Sequence, residues 1–302
     1  MAINLTERIS IGRPITREGI SLFPVYVHDA APDRLVRGGG TAVTVEEQED
    51  AEVPTLLATN DGDTPVLLVE GETVVGGQQD RTLNVSVLVP AGASVQIPVS
   101  CVQAGRWNGG RRFTKGKTYT SRRVRRVKQA GVGRNVRTSG RKASYQGAVW
   151  DSIGTELRRL DVSESTSAFV AADEVFDRDA ALGRAVDEIV GLGPLPGQRG
   201  IVVAHGRRVV QADIFATADV LGEQWEALVR SYLLDAPDRV EGSPSTDRVL
   251  RFLKRFGTAE SVEAPGVGLG TEHHVETGRL VGQALVWDDV LVHASAFALA
   301  NA

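Results

Sequence analysis

Between Arg81 and Trp150 the chain carries fifteen lysines and arginines and not one aspartate or glutamate. The rest of the 302 residues hold 19 basic and 38 acidic side chains, so a +15 segment is joined to a −19 body and the net charge is −4. Blocks of opposite sign of this size must be answered by something. Either they neutralise each other, within one chain or between subunits of a homo-oligomer, or the basic block is an arm that holds phosphates, nucleic acid or an acidic partner.

Length and composition set the remaining bounds. With 42% hydrophobic and 24% charged residues the chain is ordinary globular protein, long enough for one large or two modest domains. No apolar run approaches the roughly 18–20 residues of a membrane span, so no membrane role is expected. The opening "MAINLTERIS" lacks a cationic region followed by an apolar one, which argues against a secretory signal. The single cysteine, Cys101, excludes a disulfide within the chain and agrees with a reducing, cytoplasmic setting.

Valine-rich runs broken by glycine and proline read as strands: 19–27, with Pro24 marking an edge or bulge, then 66–75, 82–90 and 94–100 as an antiparallel meander. From Gly105 to Gly147 large aliphatics nearly vanish. That stretch cannot bury enough surface to offset its ordering entropy, and it reads as a mobile basic excursion over 106–147, with a short helix at 121–129. Helical spacing returns at 148–160, 177–191 (capped by Asp177), 218–235 and 243–257. Strands return at 201–216, 280–287 and 290–297, the last two around an Asp288–Asp289 turn. The expectation is an α+β fold with antiparallel, β-rich N- and C-terminal parts and a helical middle: a single domain over 1–302, divisible into lobes 1–105 and 148–302 if the basic segment is a linker.

The stretch "VEGETVVGGQQDRTLNVSVLVP" (69–90) holds the densest polar chemistry between two apolar runs. In an extended strand Glu70 and Glu72 share a face, and Asn84 and Ser86 share one on the next strand. Two neighbouring carboxylates suit acid–base work or metal binding. Gly76 and Gly77 permit positive φ and open amides, while Gln78, Gln79 and Asp80 crowd the bend with hydrogen-bonding groups. Arg81 can fork onto a phosphate or pair with Asp80. A solvent-facing sheet with a Gly-Gly turn explains the same residues without any ligand.

In a second cluster, "GVGLGTEHHVE" (266–276), Glu272, His274 and Glu276 share a strand face, a weak candidate set for a divalent cation. His293 reads as a packed histidine and Cys101 as a buried, inert thiol. No serine sits in a G-x-S-x-G elbow.

"LLVEGETVVGGQQDRTLNVSVLVPAG", followed by "IPVSCVQAGRW", resembles a prokaryotic and phage family, the ADP-ribosylglycohydrolase and rhodanese-phosphatase-associated protein domain. The resemblance is specific over 66–107 and looser through "VVQADIFA", "GVGLGTE" and "ALVWDDVLVHASAF". It implies a role in the metabolism of NAD-derived nucleotides. Matching positions are Glu70, Gly71, Glu72, Gly76, Gly77, Gln79, Arg81, Leu83, Asn84, Cys101, Gly105, Arg106 and Trp107. Where family members tend to read glutamate after "CV", this chain has Gln103, which removes a charge.

Two functions follow as expectations. One is an enzyme, of hydrolase type, acting on an ADP-ribose-like nucleotide phosphate. Glu70 or Glu72 would be base or metal ligand, Arg81 the phosphate clamp, and Arg106 and the amides of 76–79 further contacts. The other is a binder without turnover, holding a nucleotide, or holding nucleic acid or an acidic partner through the 106–142 arm.

Overall fold

A computed structural model describes residues 9–28, 37–38, 43–48, 54–162, 168–237 and 240–299. The beginning of the chain and part of the acidic stretch near residue 50 lie outside the described residues. The fold is α+β, as the patterning indicates.

Its largest layer is an antiparallel sheet. Across it run Ile9–Ile11, Ile20–Val27, Gly200–His205, Arg208–Phe215, Val290–Ala298, Leu280–Trp287, Thr271–Glu276 and Ser261–Pro265, with Ile15–Arg17 also on Ile20–Val27. Pro24 lies opposite the gap between the two short strands, where the proline costs no ladder bond. Asp288 and Asp289 both take positive φ (49° and 60°), the geometry of a two-residue hairpin turn. The sheet rules out lobes 1–105 and 148–302: an N-terminal strand, Ile20–Val27, is hydrogen-bonded along Gly200–His205.

The second layer is a closed barrel of Ala93–Cys101, Thr55–Asn60, Val43–Glu46, Arg112–Lys115, Thr73–Gly76 and Arg81–Leu83. Beside it, Val87–Val89 pairs with Val66–Leu68, which in turn carries Arg37–Gly38. The strand expected over 66–75 is therefore two strands. The chain turns at Glu70–Gly71, with Gly71 at φ 86°.

The described helices are α1 (Arg122–Ser139), α2 (Gln146–Arg159), α3 (Glu174–Arg178), α4 (Ala180–Leu192), α5 (Ala218–Leu234) and α6 (Thr246–Gly257). The cap of α4 is Asp179 rather than Asp177; its carboxylate accepts from the amides of Ala181 and Leu182. Helix α6 covers one face of the sheet, packing Val249, Phe252, Leu253 and Phe256 on Val202, Ala204 and Ile214. Helix α5 packs on the opposite face, where Ile201 and Val203 point.

The main departure from expectation is α1. The segment read as a mobile loop is, over Arg122–Ser139, an 18-residue helix. It contacts both the sheet and the barrel side of the molecule. Its inward stripe, Val124, Lys128, Val132 and Val136, with Arg125 and Gln129 alongside, has helical spacing but is half polar, so a count of aliphatics misses it. Ten of the fifteen basic residues of the segment reach carboxylates of the same chain. Arg106 pairs with Asp80, Arg112 with Glu46 and Lys115 with Glu72. Arg122 and Arg123 share Asp235, Arg125 bridges Glu70 and Asp213, and Lys128 holds Glu70. Arg134 and Arg137 share Glu276, and Lys142 holds Glu272. The blocks of opposite charge thus meet within one chain.

A buried helix is cut only when it unfolds. In limited digestion with trypsin, followed by mass spectrometry, the bonds after Arg125 and Lys128 are therefore expected to survive until the whole protein melts. Early cleavage at both would show that α1 is not anchored.

Candidate functional site

Glu70 sits in the turn between two strands, not on a strand face. Gly71 follows it because a Cβ there would lie 2.6 Å from Arg125 Nε. The Glu70 carboxylate is wholly buried. Its Oε1 accepts from Arg125 Nε (2.9 Å), Arg125 Nη2 (2.5 Å) and the Ser295 hydroxyl (2.9 Å), and its Oε2 from Lys128 Nζ (2.9 Å). Arg125 also donates to both oxygens of Asp213, at 2.6 and 3.3 Å. Asp213 takes further bonds from Gln211 (2.7 Å) and Tyr232 (2.7 Å). Burial alone would raise the Glu70 carboxyl, but Arg125 and Lys128 outweigh it and hold it at about 2. A carboxylate this firmly ionised, and held by four hydrogen bonds, is not a general base at neutral pH. The expectation of a catalytic Glu70 is corrected: it is the structural counter-ion of α1.

Glu72 points elsewhere. Its Oε2 accepts from the Val69 amide (3.1 Å), and its Oε1 lies 3.0 Å from Lys115 Nζ, which also donates to Gln224 (2.6 Å). The turn at Gly71 separates the two glutamates, so they form no shared carboxylate pair.

Ser86, His293 and Asp213 fall in line: the Ser86 hydroxyl is 2.8 Å from His293 Nδ1, and His293 Nε2 is 3.9 Å from Asp213 Oδ1. All three are buried, and the Ser86 oxygen also accepts from the Glu70 amide (3.1 Å). It is a packing network, and His293 is a core histidine as its neighbours suggested.

The bend 76–80 turns on positive φ at Gly76 and Gly77 (121° and 52°), and the Phe113 ring occupies the place of a Cβ on Gly77. Four of its five amides, however, are engaged within the molecule. Those of Gly76, Gly77, Gln78 and Asp80 donate to Asp80 Oδ1 (3.0 Å), the Arg112 carbonyl (3.1 Å), Glu47 Oε1 (3.0 Å) and Gln103 Oε1 (3.3 Å). Arg106 locks the arrangement. Its Nη2 donates to the Gly76 carbonyl and Asp80 Oδ1, its Nη1 to the Gly77 carbonyl, all at 3.0 Å, and its Nε to Gln103 Oε1 at 2.6 Å. The expected amide cradle over 76–79 is corrected: the amides of Gly76, Gly77 and Gln78 are already bonded within the chain. Asn84 is likewise internal, donating to the Lys142 carbonyl (3.1 Å) and accepting from Ser100 (2.5 Å). Gln79 Oε1 accepts from Arg81 (3.2 Å) and from the Cys101 thiol (3.1 Å).

The suggested cation ligands are also engaged. Glu272 Oε1 accepts from Lys142 Nζ (2.6 Å), and its Oε2 is 2.9 Å from His274 Nε2. Glu276 is held by Arg134 and Arg137. Among the described residues no group of three His, Cys, Asp or Glu side chains is arranged to hold a metal ion.

What the bend does adjoin is a cavity of about 450 Å³, whose polar walls are Gln103, Lys117, Asp173, Glu174, Asp177 and Arg230. The 3-10 turn Phe169–Asp173 reaches it because the Phe169 amide donates to the Val102 carbonyl (2.9 Å) and Ala168 bridges to Gln103. Asp173 accepts from the Thr118 hydroxyl. Burial raises its carboxyl above the usual range, against the opposing pull of Thr118, Arg230 and Lys117. Arg230 lies over the Phe176 ring at 5.5 Å and donates to Glu226 (3.1 Å). No spacing in the sequence connects Lys117, Asp173 and Arg230.

A family model for the ARG and Rhodanese-Phosphatase-superfamily-associated Protein domain matches residues 8–297. The chain belongs to that family. No curated protein and no solved structure matches it. Its family domain therefore takes in the sheet, the barrel and all six described helices as one unit, and the cavity beside Gln103 is assembled wholly within that unit.

Removing one partner of a buried ion network leaves the other charges uncompensated, at about 3–5 kcal/mol. Arg125→Met is expected to lower unfolding stability by that order in urea titration, whereas Arg112→Met, at an exposed pair, changes it by about 0–1 kcal/mol.

Burial, against the opposing pull of Asp235 and Asp213 respectively, also holds the His205 and His293 imidazoles neutral down to about 4. The unfolded chain alone takes up those protons as pH falls below 6.5, so stability should drop from 6.5 toward 4. Glu70, with its depressed value of about 2, extends the loss from 4.5 downward. Melting temperatures measured across this range should fall throughout; a flat profile between pH 7 and 4 would contradict it.

Proposed function

We propose that this protein recognises an ADP-ribose-like or other NAD-derived nucleotide phosphate in the cavity beside Gln103, and that Asp173 serves there as a general acid. The observation that supports the reading is Asp173 itself: a carboxyl raised by burial, in a concave site whose walls also carry Lys117 and Arg230. A perturbed acid in a cleft of this size is the usual mark of an active or binding site. Lys117 supplies positive charge for a phosphoryl group, and Arg230, whose Nε is held by Glu226, adds to it. Gln103 spends its carbonyl oxygen on Arg106 and Asp80, which leaves its amide nitrogen for a ligand. The larger cleft of about 1120 Å³ near the end of α2 is a poorer candidate. Its Arg178 is committed to the carbonyls of Leu160 and Asp161, and Arg159 to Glu156 and the carbonyls of Leu234 and Ala236. The family's association, read as ADP-ribosylglycohydrolase, supplies the nucleotide class.

The family resemblance also supports a second reading, binding without turnover at the same cavity: it implies a glutamate where this chain has Gln103, so one acid is missing from the wall. Nucleic-acid binding through the basic segment finds less support, because ten of its fifteen cations already face carboxylates.

Calorimetric titration with ADP-ribose and related nucleotides, with product analysis, tests the reading. Lys117→Ala is expected to weaken a phosphate-bearing ligand by about 1.5–3 kcal/mol. Asp173→Asn should leave affinity nearly intact and lower turnover roughly 100-fold or more. Because the proton must be present on Asp173, kcat/KM should fall as pH rises through its raised value. No heat with any nucleotide would end the proposal; heat with equal, negligible turnover in both proteins would leave the binder.

A further inference from the structure

Arg81 begins the barrel strand Arg81–Leu83, on the same strand face as Leu83, opposite Cys101 on one neighbour and Val74 on the other. Its side chain is 0% exposed. Nη1 donates to Gln79 Oε1 at 3.2 Å and more weakly to the Asp80 carbonyl at 3.5 Å. Nε and Nη2 have no partner among the described residues. Those two nitrogens form one edge of the guanidinium plane, the edge that takes both oxygens of a carboxylate or phosphate together.

The other wholly buried cations are answered: Arg125 by two carboxylates, Lys128 by one. The carboxylates around Arg81 are not placed to serve it. Asp80 Oδ1 is held by Arg106 and the Gly76 amide. Glu47 gives Oε1 to the Gln78 amide, and its Oε2 is also buried without a partner. A desolvated cation with an unpaired edge is costly in an evolved core, so such an edge is expected to have a function. Burial and the nearby Arg106 lower the Arg81 guanidinium's basicity, against Cys101, Glu47 and Asp80.

The cover over this group is slight. The Trp107 ring lies 5.7 Å from the Arg81 guanidinium carbon, and Trp107 is itself 51% exposed. Two residues before it, Gly105 takes φ 83° with nothing within 4 Å of a Cβ position, so no packed neighbour backs the lid's hinge side.

We infer that Arg81 is the anchor of a gated anion site, in which its Nε–Nη2 edge takes a phosphate or carboxylate group and Trp107 is the lid that swings off to admit it. The exchange replaces a cation–π contact with a bidentate ion pair, the stronger of the two. The site stands on Arg81 and does not depend on the cavity beside Gln103, although the 103–107 segment borders both.

The test titrates the whole chain with inorganic phosphate, and separately with acetate, at constant ionic strength and reads tryptophan emission. A saturable change is expected that is lost in Trp107→Phe, while calorimetry shows that this variant still binds. Arg81→Lys keeps the charge but loses the forked edge, and should weaken binding roughly tenfold or more. Should that variant fail to fold, phenylglyoxal labelling of the unaltered chain replaces it: phosphate should protect Arg81, and Trp107→Ala should speed its modification. The inference is overturned if neither anion gives a saturable response, if Arg81→Lys binds as well as the parent, or if labelling at Arg81 ignores both phosphate and the lid. A phosphate response without any heat from ADP-ribose would sink the cavity reading alone; the reverse would sink this one alone.

Discussion

Arg125 bridging Glu70 and Asp213 is the contact on which the molecule depends. Glu70 belongs to the turn beside the barrel, Asp213 to the middle of the large sheet, and Arg125 to the helix laid between them. Two carboxylates and two cations in a wholly buried space impose strict geometry. Each charge is tolerated only because the others are in place. The net stabilisation of such a network relative to an apolar core is small or negative, so its value lies in specification: α1 can slide or rotate in its slot only by stranding a charge. Gly71 shows how far this constraint propagates, since the arginine stem occupies the space of its missing side chain.

Much of the fold was legible in the sequence. Alternating valines found the strands, and the stripe Leu221, Trp225, Leu228, Val229 and Tyr232 found α5, because these elements are held by apolar burial and periodicity measures that directly. Helix α1 escaped because its inward face is half ionic. Arg125, Lys128 and Gln129 follow the same four-residue spacing as Val124, Val132 and Val136, yet a hydrophobicity count scores them as surface. The lesson is physical: a long charge-segregated stretch inside a nearly neutral chain is a reason to look for periodicity among the charges themselves.

The candidate site was legible only in part. The polar density of residues 69–90 stood out in the sequence, but alternation along one strand assigned it the wrong geometry. One glycine at positive φ split the strand and sent Glu70 and Glu72 to separate partners. The bend looked open because its glycines were visible in the sequence, whereas Arg106, Glu47 and Gln103, which close it, are distant along the chain. Asp173 was beyond reach, since only the third dimension brings it to Gln103 and Lys117.

The strand order of the large sheet governs how the chain is born. Ile20–Val27 leaves the ribosome early, but the neighbour that covers one of its edges is Gly200–His205. At roughly 5–20 residues per second, synthesis of the intervening stretch takes about 9–35 s. For that interval an apolar strand with an unpaired edge waits in solution, and the sheet closes only when Val290–Ala298 docks beside Arg208–Phe215. The N-terminal half, synthesised well before its partner strands, is therefore a natural client for chaperones that shield β edges.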